Sequence, residues 1–118
     1  MIISKEKLKD AILIAIGDKE MVQIMNCSMY KSVSVNEIIK ETGIPHTTAY
    51  RKIKWMLENG ILITERILIT QDGKKSSLIK STLKSISVNY ERNEIIVQAE
   101  YNVDPLSRTV NKFFSLDS

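Results

Sequence analysis

The sequence predicts an α+β fold, helical as far as Gly60 and β-stranded beyond it. Three observations carry that expectation. Apolar residues recur at helical spacing in four segments before residue 60, most of them bounded by a capping residue or a glycine. After Gly60 the pattern changes to alternating, β-rich segments around Gln71-Asp72-Gly73-Lys74 and again around Glu91-Arg92-Asn93, and Asp-Gly is a strong hairpin signal. Positive charge gathers between the two halves. Residues 31–85 carry ten Lys and Arg against five Asp and Glu, whereas residues 1–30 balance and residues 86–118 are net negative.

Size and composition set the frame. A chain of 118 residues, 43% hydrophobic and 26% charged, is expected to form one domain over 1–118 with a single core. Cys27 is the only cysteine, so no internal disulfide can form and a reducing compartment is the simpler expectation. MIISKEKLKD has no secretory leader pattern. The longest apolar run, Ala11 to Ile16, falls well below the ~20 residues that span a bilayer. A cytoplasmic location is expected.

The first helix is predicted over Lys5 to Ile16 from Leu8, Ala11, Ile12, Ala15 and Ile16, with Gly17 where a left-handed cap belongs. Leu13 and Ile14 widen its apolar stripe. Either a deeply buried helix or a subunit contact would explain that width. Asp18 can cap a second helix through Met21, Val22, Ile24 and Met25, fading over Asn26 to Tyr30. Met21, Met25 and Met29 read as core filling. In the third helix Ser34 and Glu37 have capping-box spacing, and Val33 with Ile38 supplies the hydrophobic staple. Thr42-Gly43 closes it, and Ile44 drops an apolar side chain before the next helix.

The fourth helix is expected over 45–58, starting at Pro45, whose fixed φ suits a helix start. Ala49, Ile53, Met56 and Leu57 fall on one side, while His46, Thr47, Tyr50, Arg51 and Lys54 fall largely on another. Ala49 is small where two helices must approach closely. Asn59-Gly60 ends the helix, and Ile61 can fold back on Met56 in a Schellman arrangement. A β-ribbon over 61–83 follows, then a hairpin in which Ile86, Val88 and Tyr90 face Ile95, Val97, Ala99 and Tyr101. A short tail helix from Pro105 would present Leu106, Val110, Phe113 and Phe114.

Catalysis fails at the inventory. His46 is the only histidine, it lies on a different helix from Cys27, and no third partner is evident. That set supports neither a zinc site nor a nucleophile–base pair. The four glycines sit at predicted turns or caps, so no phosphate-binding loop exists. No enzyme activity, cofactor or metal is expected.

Binding has positive content. When the second helix of a helix-turn-helix enters a major groove, its N-terminal residues lie nearest the bases. Here that end offers His46, Thr47, Tyr50 and Arg51 as candidate base readers. Arg51 is the side chain able to grip guanine in bidentate fashion. Thr48, Lys52, Lys54, Arg66, Lys74 and Lys75 are candidate phosphate contacts. Several have a plainer reading: Lys74-Lys75 as a solubilising turn, Arg66 as a partner of Glu65 or of a cross-strand residue, His46 as an exposed helix-start residue, and Tyr50 as packing over the hairpin. The charge asymmetry fits a polyanion partner, and it fits a solvated lysine-rich surface as well.

EIIKETGIPHTTAYRKIKWMLENGIL resembles the helix–turn–recognition helix of winged helix transcription regulators, and ITERILITQDGKKSSLIKST is similar to their wing. The likeness covers residues 18–85 and is nearest in flavour to the ArsR-like group of archaeal and bacterial regulators. It implies a winged helix-turn-helix with recognition helix 45–58, a wing tip at Asp72–Lys75, duplex DNA as partner and a homodimer. Metal-sensing members carry paired cysteines, and Cys27 stands alone here, so metal sensing is not expected. Residues 86–118, the second hairpin and tail, lie outside the common core; with Leu13, Ile14, Phe113 and Phe114 they are candidates for a dimer interface. Because winged helices also dock proteins, a protein-interaction module within a larger assembly stays open as the alternative.

Overall fold

A computed structural model describes residues 1–102. The tail, with its expected helix and with Phe113 and Phe114, lies outside the described residues. Four helices precede two antiparallel hairpins: α1 (Glu6–Ile16), α2 (Lys19–Cys27), α3 (Val35–Thr42), α4 (His46–Glu58), β1 (Leu62–Ile69), β2 (Lys75–Ser81), β3 (Leu83–Glu91) and β4 (Glu94–Tyr101). The chain is α+β, as its patterning predicts.

Local chemistry accounts for most boundaries. Asp18 caps α2, its Oδ1 accepting the Met21 N–H at 3.0 Å. At α3 the Glu37 N–H donates to Ser34 Oγ at 3.2 Å, and the Ser34 hydroxyl donates to Glu37 Oε1 at 3.3 Å. The capping pair therefore closes through the hydroxyl rather than through the Ser34 backbone. Gly43 takes a left-handed φ of +73° and donates to Ile39 O, closing α3. At the end of α4 the Gly60 N–H reaches Leu57 O and the Ile61 N–H reaches Met56 O at 2.9 Å, the paired bonds of a Schellman end.

Two boundaries differ from expectation. Gly17 sits at φ −85°, ψ −3° and is not left-handed; the chain passes straight into the Asp18 cap and has no need to reverse. Pro45, at ψ 141°, is the residue before the helix, and α4 begins at His46.

The β1–β2 hairpin pairs Ile69 with Lys75 across the loop and Leu62 with Ser81 at its base, with a bulge between Thr64 and Arg66. Val33 adds a short third segment, exchanging backbone bonds of 2.9 and 2.7 Å with Ile79. This ties the residue before α3 to the hairpin. The second hairpin turns at Arg92-Asn93, both with positive φ (53° and 64°), as a two-residue type I′ turn requires. Its first strand starts at Leu83, three residues before the expected 86, so Thr82 alone separates the two hairpins. Thr82 pins that crossing, its Oγ1 lying 2.7 Å from Gly60 O and 2.8 Å from Ile61 O.

Two groups of buried side chains result. The larger unites α1–α4 and the base of the first hairpin around Ile24, Ile38, Ala49, Ile53, Met56, Ile61 and Ile79. The smaller joins Ile3 and Ile12 to Leu83, Val97 and Ala99 of the second hairpin, with Leu13 packed against it. That second hairpin is thus anchored on α1 rather than appended loosely. Met1–Ile3 runs beside β4, with Ile3 N–H to Val97 O and Ala99 N–H to Met1 O, both 2.8 Å.

Candidate nucleic-acid interface

The inward side of α4 is set by Ala49, Ile53 and Met56, each at most 3% exposed. This leaves His46, Thr47, Tyr50, Arg51 and Lys54 in solvent. His46 and Tyr50, one turn apart, hold their rings 4.6 Å apart at 43°. Thr48 is half-buried, one turn before Lys52 and on the same side of the helix.

Across from this exposed row stands the tip of the first hairpin. Tyr50, Ser34 and Asn36 on one side and Thr70, Lys74 and Lys75 on the other enclose a cleft of about 450 Å³. A second groove, about 610 Å³, continues between α4 and the hairpin, with Arg51 and Lys54 at its edge and Val35, Ile53, Leu57 and Ile79 along its floor. The hairpin tip is held in shape by Thr70, whose N–H donates to Lys74 O at 2.8 Å and whose Oγ1 accepts the Lys74 N–H at 3.1 Å. The Thr70 hydroxyl also donates to the Asp72 carboxylate, holding its pKa below the ordinary value.

The cations lining the cleft and the groove are uncommitted. Arg51, Lys74 and Lys75 form no salt bridge among the described residues, and Lys54 reaches Glu58 only at 4.0 Å with both side chains in solvent. Tyr50, with the His46 ring beside it, joins the two spaces: Lys74 and Lys75 face it across the cleft, and Arg51 and Lys54 line the groove with it.

Other expected contacts are placed elsewhere. Lys52 is 9% exposed, and its Nζ lies 2.6 Å from Asp18 Oδ2 and 2.8 Å from Glu20 Oε1. Its charge is spent inside the protein, clamping α4 to the start of α2. The Asp18 side-chain hydrogen bond, then that of Glu20, raises the Lys52 pKa, and the same contact holds Asp18 below its ordinary value. Arg66 pairs with Leu78, between Ser77 and Ile79 on the neighbouring strand. Ser77 and Ile79 line the α4 groove, and strand residues alternate sides, so Arg66 points to the opposite face. Leu13 is half-buried against the smaller core, whereas Ile14 is 55% exposed.

Two features escaped the sequence reading. Asn36 lines the cleft, a role with no local signature because the hairpin that completes the cleft is some 35 residues further on. Ile67, Leu68 and Ile69 are also exposed, at 56%, 48% and 69%. Their apolar run was legible, but not that the outer half of β1 leaves the core. Burial, with the Glu41 contact second, pushes the Cys27 thiol up to about 11. Among the described residues no group of three or more His, Cys, Asp or Glu is placed to hold a metal ion, and no helix is long and apolar enough to cross a membrane.

Comparison with protein-family models, curated proteins and solved structures finds no significant match for this chain.

Proposed function

We propose that this chain is a DNA-binding transcription regulator of the winged helix-turn-helix type. In this reading α3 and α4 form the helix-turn-helix and the first hairpin is the wing. The observation that carries it is the shared position of Tyr50, which lines one cleft with Lys74 and Lys75 of the hairpin tip and the adjoining groove with Arg51 and Lys54, with the charges of these cations unspent. With α4 in a major groove, His46, Thr47, Tyr50 and Arg51 meet base edges, and Arg51 supplies the bidentate fork that suits guanine. Lys54, Lys74 and Lys75 meet phosphates. A homodimer would present two such surfaces to half-sites about one helical turn apart.

The charge count fixes the test. Neutralising about three phosphates gives a logarithmic salt slope near −2.7, so affinity for random duplex falls roughly fortyfold between 50 and 200 mM salt. Fluorescence anisotropy with a labelled random duplex measures it. Absence of binding at low salt refutes the proposal.

One observation favours a second reading, a protein-interaction module. Exposed Ile67 and Ile69, which pair with Ser77 and Lys75 and so lie on the side of β1 that faces the α4 groove with its apolar floor, suit a protein segment better than a phosphate chain. The same titration separates the two, because an apolar docking groove has no comparable salt dependence.

A further inference from the structure

The second hairpin has one edge in use and one that no described strand pairs with. On the β4 side, Val97 and Ala99 turn their backbone groups outward to Met1–Ile3. In an antiparallel ladder, residues that bond outward sit opposite residues that also bond outward. Val97 is opposite Val88 and Ala99 is opposite Ile86, so Ile86 and Val88 direct their N–H and C=O groups to the far edge of β3. Tyr90, two residues further on, does the same. No strand among the described residues pairs with that edge.

The far edge lacks the usual protection. Between Ser85 and Tyr90 there is no charge and no proline, and the bulge lies at the strand's beginning, between Leu83 and Ser85. The side chains of the same residues form an apolar face that outruns its support on α1. Ile86 is packed against the core, but Val88, Tyr90 and Ile95 are 40%, 70% and 41% exposed.

We infer that a second copy of this chain pairs antiparallel along the outer edge of β3, with the two-fold axis through Val88. In that register Val88 faces Val88 of the second copy, and Ile86 faces its Tyr90. All three outward-bonding residues of each strand are then satisfied, and the two apolar faces join into one. Any other arrangement must keep apolar residues opposite apolar residues, because a one-residue slip would set the Ile86, Val88, Tyr90 face against Ser and Asn. Charge selects the antiparallel sense for identical strands. Lys84 and Glu91 stand at opposite ends of β3, so antiparallel pairing brings each Lys84 end to the Glu91 end of the other copy, whereas parallel pairing stacks like charges. Lys84 is available for this, since its pairing with Glu100 is a surface contact of 3.5 Å between side chains more than half exposed. The assignment stands independently of what α4 binds.

Light scattering and sedimentation equilibrium on the full chain test it. The expected mass is twice the 13.5 kDa of one chain at about 100 μM, a working concentration set by interface affinities in the micromolar range. Val88→Lys sets two ammonium groups on the axis and should weaken the dimer at least about tenfold, with an unchanged melting profile at dilutions where both proteins are monomeric. Val88→Cys should oxidise to a covalent dimer, since facing residues of such a pair lie ~5.5 Å apart at Cα, within disulfide reach. Tyr30→Cys, at a more exposed position between α2 and α3, should not. A monomer at all concentrations, a dimer indifferent to Val88→Lys, or cross-linking no better at position 88 than at position 30 overturns the assignment.

Discussion

Replacing Lys52 with Met isolates what its ion pairs contribute. The substitution keeps most of the aliphatic stem that fills the α2–α4 contact and removes the charge that lies 2.6 Å from Asp18 and 2.8 Å from Glu20. The Lys52 side chain is 11% exposed, while those of Asp18 and Glu20 are 25% and 35% exposed, so the cluster is neither a surface pair nor a sealed one. Exposed pairs contribute up to ~1 kcal/mol, and breaking buried ones costs ~3–5 kcal/mol. A loss of about 2 kcal/mol is expected, seen as a lower urea midpoint with an unchanged m-value and as a melting temperature lower by roughly 6–10 °C. The effect has a pH signature. Asp18 has a lowered pKa, so its share is present above the ordinary value of 3.8 and is lost as pH falls through the depressed one. Lys52 has a raised pKa, so its share is present below 10.5 and is lost as pH rises through the raised value. The difference between the two proteins should therefore be flat between about pH 5 and 9, and should shrink in strong acid. A Lys52→Met protein of unchanged stability that binds duplex more weakly and with a shallower salt slope would refute the clamp and return Lys52 to the phosphate contacts.

Three further outcomes are expected. Arg51→Ala should reduce discrimination between target and random duplex by about 1–3 kcal/mol, whereas Lys74→Ala with Lys75→Ala should weaken all duplexes alike and flatten the salt slope by about 2; equal losses on both kinds of duplex for both variants would count against these roles. Gly43→Ala should cost about 1 kcal/mol by equilibrium unfolding, because φ is +73° and nothing lies within 4 Å of the added Cβ, so the penalty is one of backbone alone; a neutral variant would contradict the left-handed cap. Cys27, with its thiol pushed up to about 11, should react with iodoacetamide at neutral pH at least about a hundredfold more slowly in the folded protein than in urea; equal rates would place the thiol in solvent.

Much of this architecture was legible because its signals are local. Ser34-x-x-Glu37, Gly43 and the Asn59-Gly60-Ile61 ending each report on a helix terminus through bonds that span five residues or fewer, and the structure forms bonds at each of those sites. The outward row of α4 followed from the spacing of Ala49, Ile53 and Met56, since burying one side of a helix dictates what the other side exposes. Lys52 shows where that logic stops. Its spacing placed it near the boundary between the two sides, and only the position of α2, whose Asp18 and Glu20 wait 34 and 32 residues earlier in the chain, turned it inward.

The amino-acid order alone determined the α+β class, the helix and turn boundaries to within a few residues, and the concentration of positive charge in the middle of the chain. Those depend on backbone dihedrals and side-chain periodicity, which neighbouring residues set. Tertiary structure alone decided that Lys74 and Lys75 share a cleft with Tyr50, that Arg66 faces away from the α4 groove, that Met1–Ile3 occupies one edge of the second hairpin, and that no described strand pairs with the other edge. Each of these is a meeting of segments distant in sequence, settled by how two apolar cores pack, and no local pattern encodes that packing.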